Sequence, residues 1–208
     1  MATLRYAVAM SDAEQPYHHG SLRQVLLTRA ESTLEEDGVD GISLRRLARE
    51  AGVSHAAPSK HFRDRQALLD ALVESGFRRL TEALEQAFDE AEPHARARLG
   101  ALASAYVTFA LTHRELLALM YSSKQAPGAA AAVVEAGRTP MDLTVRIVTE
   151  AQAAGDIGPG DPLHIALVAF ATFHGVAAVA AGGMLYGASV DEVVAAASDT
   201  FWRGLILE

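Results

Sequence analysis

The chain has 208 residues, half of them apolar, with a formal net charge of −8 and no cysteine. That length suffices for one large or two small domains with a buried core. Without cysteine there is no disulfide framework and no thiolate metal site, which fits a reducing cytoplasm. Alanine dominates the composition and favours helix, and no alternating strand pattern of useful length interrupts it, so the expected class is all-α.

Residues 1–16 show no periodicity, and their one base is Arg5; they read as a mobile arm. Arg5, Asp12 and Glu14 interrupt any signal-peptide pattern. A first helix is expected from Ser21 to Asp37, with Leu22, Val25, Leu26, Ala30 and Leu34 as its buried stripe and Gly38 as its stop. Ser43 can cap a second helix through Leu44, Leu47, Ala48 and Ala51, which share one face. Gly52 then allows a left-handed turn and Ser54 can cap a third helix. Pro58 falls in the first turn of that third helix and is expected to remove one early hydrogen bond without breaking its middle. The two short helices are joined by Ala51, Gly52 and Val53, the connection of a helix-turn-helix.

Asp64 can cap a long helix to Glu90, and Pro93 is placed to open the next, which runs to His113. A shorter helix spans Arg114 to Ser122, and Lys124 to Gly128 reads as loop. Residues 129–136 are weakly patterned. Thr139 can cap a helix opened by Pro140 and running to Ala154. After the loop Gly155–Pro162, Asp161 opens an apolar helix to Gly182, and Ser189 caps a last helix to Leu207. From Ile165 to Val190 there is no Asp, Glu, Lys or Arg. That is the length a bilayer requires. Its Ala and Gly content, with His174 midway, fits a core or subunit interface better.

Charge singles out one stretch. From Arg45 to Arg65 there are six Lys or Arg and two acids, a local +4 in an acidic chain. Basic charge gathered on one surface is where phosphate would lie. Spacing and charge fit either a DNA-reading helix-turn-helix or a short helical hairpin with a solvated basic face.

At these residues the chain resembles a known family. Gly41-Ile42-Ser43-Leu44-Arg45-Arg46-Leu47-Ala48, then Ala51-Gly52-Val53-Ser54, His61-Phe62 and Leu68-Leu69 look like the DNA-binding domain of the tetracycline-repressor (TetR) family. Tyr17-His18-His19-Gly20-Ser21-Leu22-Arg23 looks like the start of its first helix, and Phe173-His174-Gly175 is similar to a Trp-His-Gly element of one branch. Ser59 stands where the family usually has Tyr, a change that reduces reach and stacking surface.

The resemblance implies a head at residues 17–65 and a helical regulatory and dimerisation body at 66–208. It implies a cytoplasmic, ligand-responsive repressor that binds a palindromic operator as a homodimer. Pairing is expected through the last two helices, at about 161–182 and 189–207. The candidate DNA-contacting residues are Ser43, Arg45, Ser54, His55, Ala56, Ser59, Lys60, His61 and Arg65. His55 is suited to a base edge and Ala56 to a thymine methyl; Lys60, His61, Arg65 and Ser43 are suited to phosphates. Candidate lining for an effector cavity is Tyr106, Phe109, Met120, Tyr121, Met141, Phe170, Phe173 and His174. No metal-binding, phosphate-cradling or nucleophile motif is present, so no catalytic role and no cofactor are expected. The rival expectation is a helical ligand-binding protein or enzyme whose helix-turn-helix no longer binds an operator.

Overall fold

The computed structural model describes residues 19–206, which are helical and contain no strand. The arm at 1–16 and the Tyr17-His18 start of the first motif lie outside the described residues. Helix α1 (His19–Asp37) buries Leu22, Leu26, Ala30 and Leu34 of the expected stripe, leaves its fifth member Val25 half-buried, and ends at Gly38, where φ is 71°. A short 3₁₀ turn (Val39–Gly41) leads to Ser43. The Ser43 hydroxyl accepts from the Arg46 amide and caps α2 (Leu44–Glu50). Gly52 takes the left-handed conformation expected of it, with φ 68°.

The segment after Ser54 departs from expectation. No α-helix forms there; turns lead into a single 3₁₀ turn, Pro58–Lys60. With Ser54 as cap, residue 58 would donate the first i→i−4 bond and close the first turn. Pro58 has no amide to give. The bonds that form instead are mostly i→i−3: Ala57 to Ser54, Lys60 to Ala57 and His61 to Pro58. The proline ring is buried, so the segment is held by packing where the helix ladder fails. Phe62 fills the small core beneath it.

Asp64 caps α3 (Arg65–Glu90) by accepting from the Ala67 amide. At 26 residues α3 spans about 39 Å. Its first turns bury Leu68, Leu69 and Leu72 against the head; its middle buries Phe77, Leu80 and Leu84 in the body. One hydrophobic core therefore runs through both parts.

The body is built from α4 (Ala95–Thr112), α5 (Arg114–Gln125), α6 (Ala131–Ala136), α7 (Thr139–Ala154), α8 (Pro162–Ala181) and α9 (Val190–Arg203). Helix α4 packs on α3, α8 and α9, and α7 packs on α8. Several ends differ from the sequence expectation. His94, not Pro93, begins α4: its Nδ1 accepts from the Ala97 amide at 3.2 Å, an imidazole acting as a cap. Thr139 is the first helical residue of α7 and does not cap it. Helix α5 continues through Lys124, and 131–136 form α6, tied down by the buried Val133. Helix α9 stops at Arg203, with Gly204 at its end. The caps at Asp161 and Ser189 form as expected, the latter as a reciprocal box with Glu192.

Head and body meet at an ionic joint. Arg79 of α3 donates to Glu31 of α1 at 2.6 Å and lies 3.0 Å from His113 Nε2, where α4 turns into α5. His113 Nδ1 is 3.2 Å from Glu31. Beside this joint, partial burial raises the Glu35 pKa above its ordinary 4.5, Glu115 raises it further and His113 opposes them. A raised carboxyl pKa means that the ionised form is disfavoured on folding. That penalty is present above the folded pKa and absent below the unfolded one. Glu35→Gln will therefore raise the melting temperature at neutral pH, and the gain will vanish below about pH 4. Thermal scans across pH check this; an equal gain at pH 3 and pH 7 would contradict it.

Candidate DNA-reading face and effector cavity

Two surfaces collect the chemistry-bearing side chains, one at the tip of the head and one inside the body. At the tip, Ser54, His55, Ala56, Ser59 and Lys60 are exposed together on the turn around Pro58. Arg45 and Arg49 are exposed on the neighbouring α2. His61 is half-buried, and its Nε2 has no hydrogen-bond partner among the described residues. Ser43 is exposed, with its hydroxyl engaged as the α2 cap.

Two of the six local cations are otherwise committed. Arg46 is held between Asp37 and Glu50, the latter at 2.6 Å. Arg65 was expected at a phosphate. Its Nε donates to the Ile42 carbonyl at 2.9 Å and an Nη to Val39 at 2.5 Å, so it clasps the turn before α2 to the start of α3. Its planar fork suits two carbonyls at once. Lys60, Arg45 and Arg49 remain as outward charge, and Arg63 pairs loosely with the adjacent Asp64.

Inside the body lies a cavity of about 850 Å³. Six of the eight expected residues line it: Tyr106, Tyr121, Met141, Phe170, Phe173 and His174. Phe109 and Met120 do not. Phe109 packs on His113 at 4.8 Å between ring centres, and Met120 is fully buried against Gly76. Along α8 the lining runs Leu163, Leu167, Phe170, His174, Ala177, Ala178 and Ala181, one stripe of a helix.

The cavity's polar centre is a trio. Tyr106 Oη is 2.8 Å from His174 Nδ1 and 3.4 Å from Tyr121 Oη. Phe170 stacks on His174 at 5.4 Å and meets Tyr106 edge-on at 5.8 Å. Burial, with the neighbouring Tyr121 in support, pushes the Tyr106 pKa far up; burial also raises that of Tyr121. Both phenols therefore stay neutral at pH 7 and serve as hydrogen-bonding groups in an apolar chamber.

The wall contains residues the sequence expectation missed, among them Phe77, Leu163, Leu167, Arg114, Lys124 and Arg138. The apolar members of the α8 stripe were findable, since 163, 167, 170, 174 and 178 recur at spacings of three and four. The cations carry no such signal, because they sit at helix ends: Arg114 opens α5, Lys124 lies in its last turn and Arg138 directly precedes α7. Among the described residues no cluster of His, Cys, Asp or Glu is arranged to hold a metal ion.

A helix-turn-helix head on a long shared helix, above a helical body with a ligand-sized cavity, defines a DNA-binding transcription regulator. Residues 26–72 match the family model described as bacterial regulatory proteins, tetR family. Residues 99–201 match the model described as tetracyclin repressor-like, C-terminal domain. The chain belongs to the TetR family of transcription regulators. A structure of a protein with unknown function from Rhodococcus sp. RHA1 is 81% identical, with TM-score 0.89, covering 93% of this chain and 100% of that one. A bacterial regulatory protein in the tetR family from Rhodococcus RHA1 shares the fold, with TM-score 0.70 and 20% identity over 90% of this chain and 98% of that one. The tetracycline repressor protein class A from transposon 1721 of Escherichia coli is 52% identical over 42 residues, 20% of this chain. The matched stretch spans 19% of that curated relative's length.

Proposed function

We propose that this regulator is a repressor that binds a palindromic operator as a homodimer and is released by a small molecule held in the body. Residues 17–65 read DNA, and residues 66–208 hold the effector and pair the subunits. The observation that carries DNA reading is the exposed row Ser54, His55, Ala56, Ser59 and Lys60, flanked by Arg45 and Arg49, at one corner of the head. Lys60 and His61 engage phosphate, and His55 reads a base edge.

Pairing runs through α8 and α9. Leu163, Leu167, Val168 and Val179 are exposed on α8, and only 28% of the most apolar window of that helix is buried. A helix apolar all round needs cover. Met184 is half-exposed beside it, and Tyr186, at φ 51°, has its ring entirely in solvent. A second copy supplies that cover and sets two heads on one duplex. The role belongs in the cytoplasm, with the chromosome.

Effector binding selects a body conformation in which α3 tilts and the two heads no longer fit one operator together. The effector must bind that state more tightly than the DNA-bound one, or nothing shifts.

Binding to a selected duplex, followed against salt, tests the head. Affinity should fall steeply as salt rises. Lys60→Ala should weaken all duplexes about equally and reduce the salt slope by about 1. His55→Ala should instead change base preference. Salt-independent binding would remove the phosphate face from the account. A second reading, a ligand-binding protein with a degenerate head, is favoured by the 3₁₀ turn at Pro58 and by Ser59 in place of the usual Tyr. It predicts that no duplex is selected at any salt concentration.

A further inference from the structure

At one end of the cavity, Lys124 and Arg138 come together over Gly137. The Lys124 ammonium donates to the Gly137 carbonyl and lies 6.0 Å from the centre of the Phe77 ring. Among the described residues, no carboxylate stands within ion-pair distance of it. Arg138 has only the exposed Glu135, at 4.0 Å. Partial burial, and then the Arg138 charge, lower the Lys124 pKa, and the Asp142 carboxylate opposes them.

The corner depends on a missing side chain. A β-carbon on Gly137 would come 2.5 Å from Lys124 Cδ and 3.1 Å from the Phe77 ring. Only glycine lets the lysine stem lie flat across this floor. From Phe77 an aromatic path continues inward: Tyr121 edge-on at 6.0 Å, then Phe170 at 5.6 Å and His174 at 5.7 Å. Arg114, at the other end of α5, adds a third cation to the lining, against the single acid Asp142. A neutral or cationic ligand leaves the Lys124 charge uncompensated in a half-dry corner. An anion neutralises it there with a strong, charge-assisted bond.

We infer that the cavity takes an amphipathic carboxylate, its anionic head on Lys124 and Arg138 and its apolar body along Phe77, Tyr121 and Phe170. The inference rests on the reading of this cavity as the effector site. It adds that the head group is recognised by charge at Lys124, while the Tyr106–His174 pair accepts a polar substituent deeper in.

Calorimetric titration of the purified full chain with dodecanoate and 2-naphthoate, each beside its neutral alcohol, tests this. At least one acid should bind roughly ten- to a hundredfold more tightly than its alcohol. Lys124→Met should bring the acid to the level of the alcohol and leave the alcohol unchanged. Gly137→Ala should do the same by displacing the lysine. Arg138→Gln, at an exposed position that folding tolerates, should remove a smaller part of the preference and covers the case in which Lys124→Met fails to fold. Equal binding of acid and alcohol, full acid preference in Lys124→Met, or no binding of either acid would each overturn the inference. Acid selectivity that Lys124→Met abolishes supports it whether or not the acid releases DNA. Release from a selected duplex is scored separately and bears on the regulatory reading alone.

Discussion

Replacing Phe77 by Ala will lower the stability of the folded chain by about 3–5 kcal/mol. Its side chain is fully buried in α3, meets Tyr121 edge-on at 6.0 Å and forms the floor under Lys124. Deleting the ring removes the transfer energy of a large apolar group and leaves a void beside an existing cavity. The ring meets Tyr121, Lys124 and the space over Gly137, and it belongs to the same buried core as Leu80, Leu116 and Met120, so the site can close up only in part. In a chain of this size the loss corresponds to a drop of roughly 10 °C in Tm. Phe77→Leu keeps most of the volume and should cost about 1–1.5 kcal/mol. Denaturant titrations of both variants check the pair. A loss below about 1 kcal/mol for the alanine variant would mean that the shared core does not run through this residue.

A charge placed on the exposed face of α8 will separate the subunits. Val168 is 57% exposed in the single chain and stands on the outer side of that helix, near Leu167. Glu at this position remains solvated in the monomer, so folding should be untouched. In a paired α8–α9 interface two copies would face each other in a dry place, with like charges and no partner. Val168→Glu should sediment as a monomer with an unchanged helical spectrum. Operator binding should weaken by about two to four orders of magnitude, because the second head no longer binds from an effective concentration set by the first. A Val168→Glu protein that remains dimeric would move the interface away from α8.

Much of this architecture was legible because the chain marks its helix ends chemically. Ser43, Asp64, Asp161 and Ser189 each accept an amide at a helix start, and Gly38, Gly52 and Gly155 take positive-φ conformations at the ends. These are local effects, readable within a few residues. The failures came where a non-local term decided. Pro58 removed the bond that closes a first turn, and burial of its ring then stabilised a 3₁₀ turn that no propensity favours. His94 capped α4 because an imidazole nitrogen can accept as a hydroxyl does, although helix-start rules favour Pro93. Helix α6 carries one buried anchor, Val133, too little for periodicity to register.

The site divides in the same way. The family resemblance implied an effector cavity in the body, and the Tyr, Phe and His residues of α4, α5 and α8 were the side chains suited to line it. The trio of Tyr106, Tyr121 and His174 assembles from three helices separated by up to 68 positions in sequence. Phe109 and Met120 share the same helices but lie one face away, where they fill core. Lys124 read as loop, so its place in the wall emerged only once α5 was seen to extend through it to Gln125. Arg65 looked like a phosphate contact from charge alone. Its clasp on Ile42 and Val39 depends on a tertiary approach of more than twenty residues.

The DNA-reading role stands most directly on selection of bound sequences from a random duplex library, using the purified protein at low and at physiological salt. It predicts recovery of a palindrome whose half-sites lie about one helical turn apart, with weaker recovery at the higher salt. No enrichment of any sequence by the folded protein, at low salt as well, would contradict it and leave the body's cavity as the place where this protein's function resides.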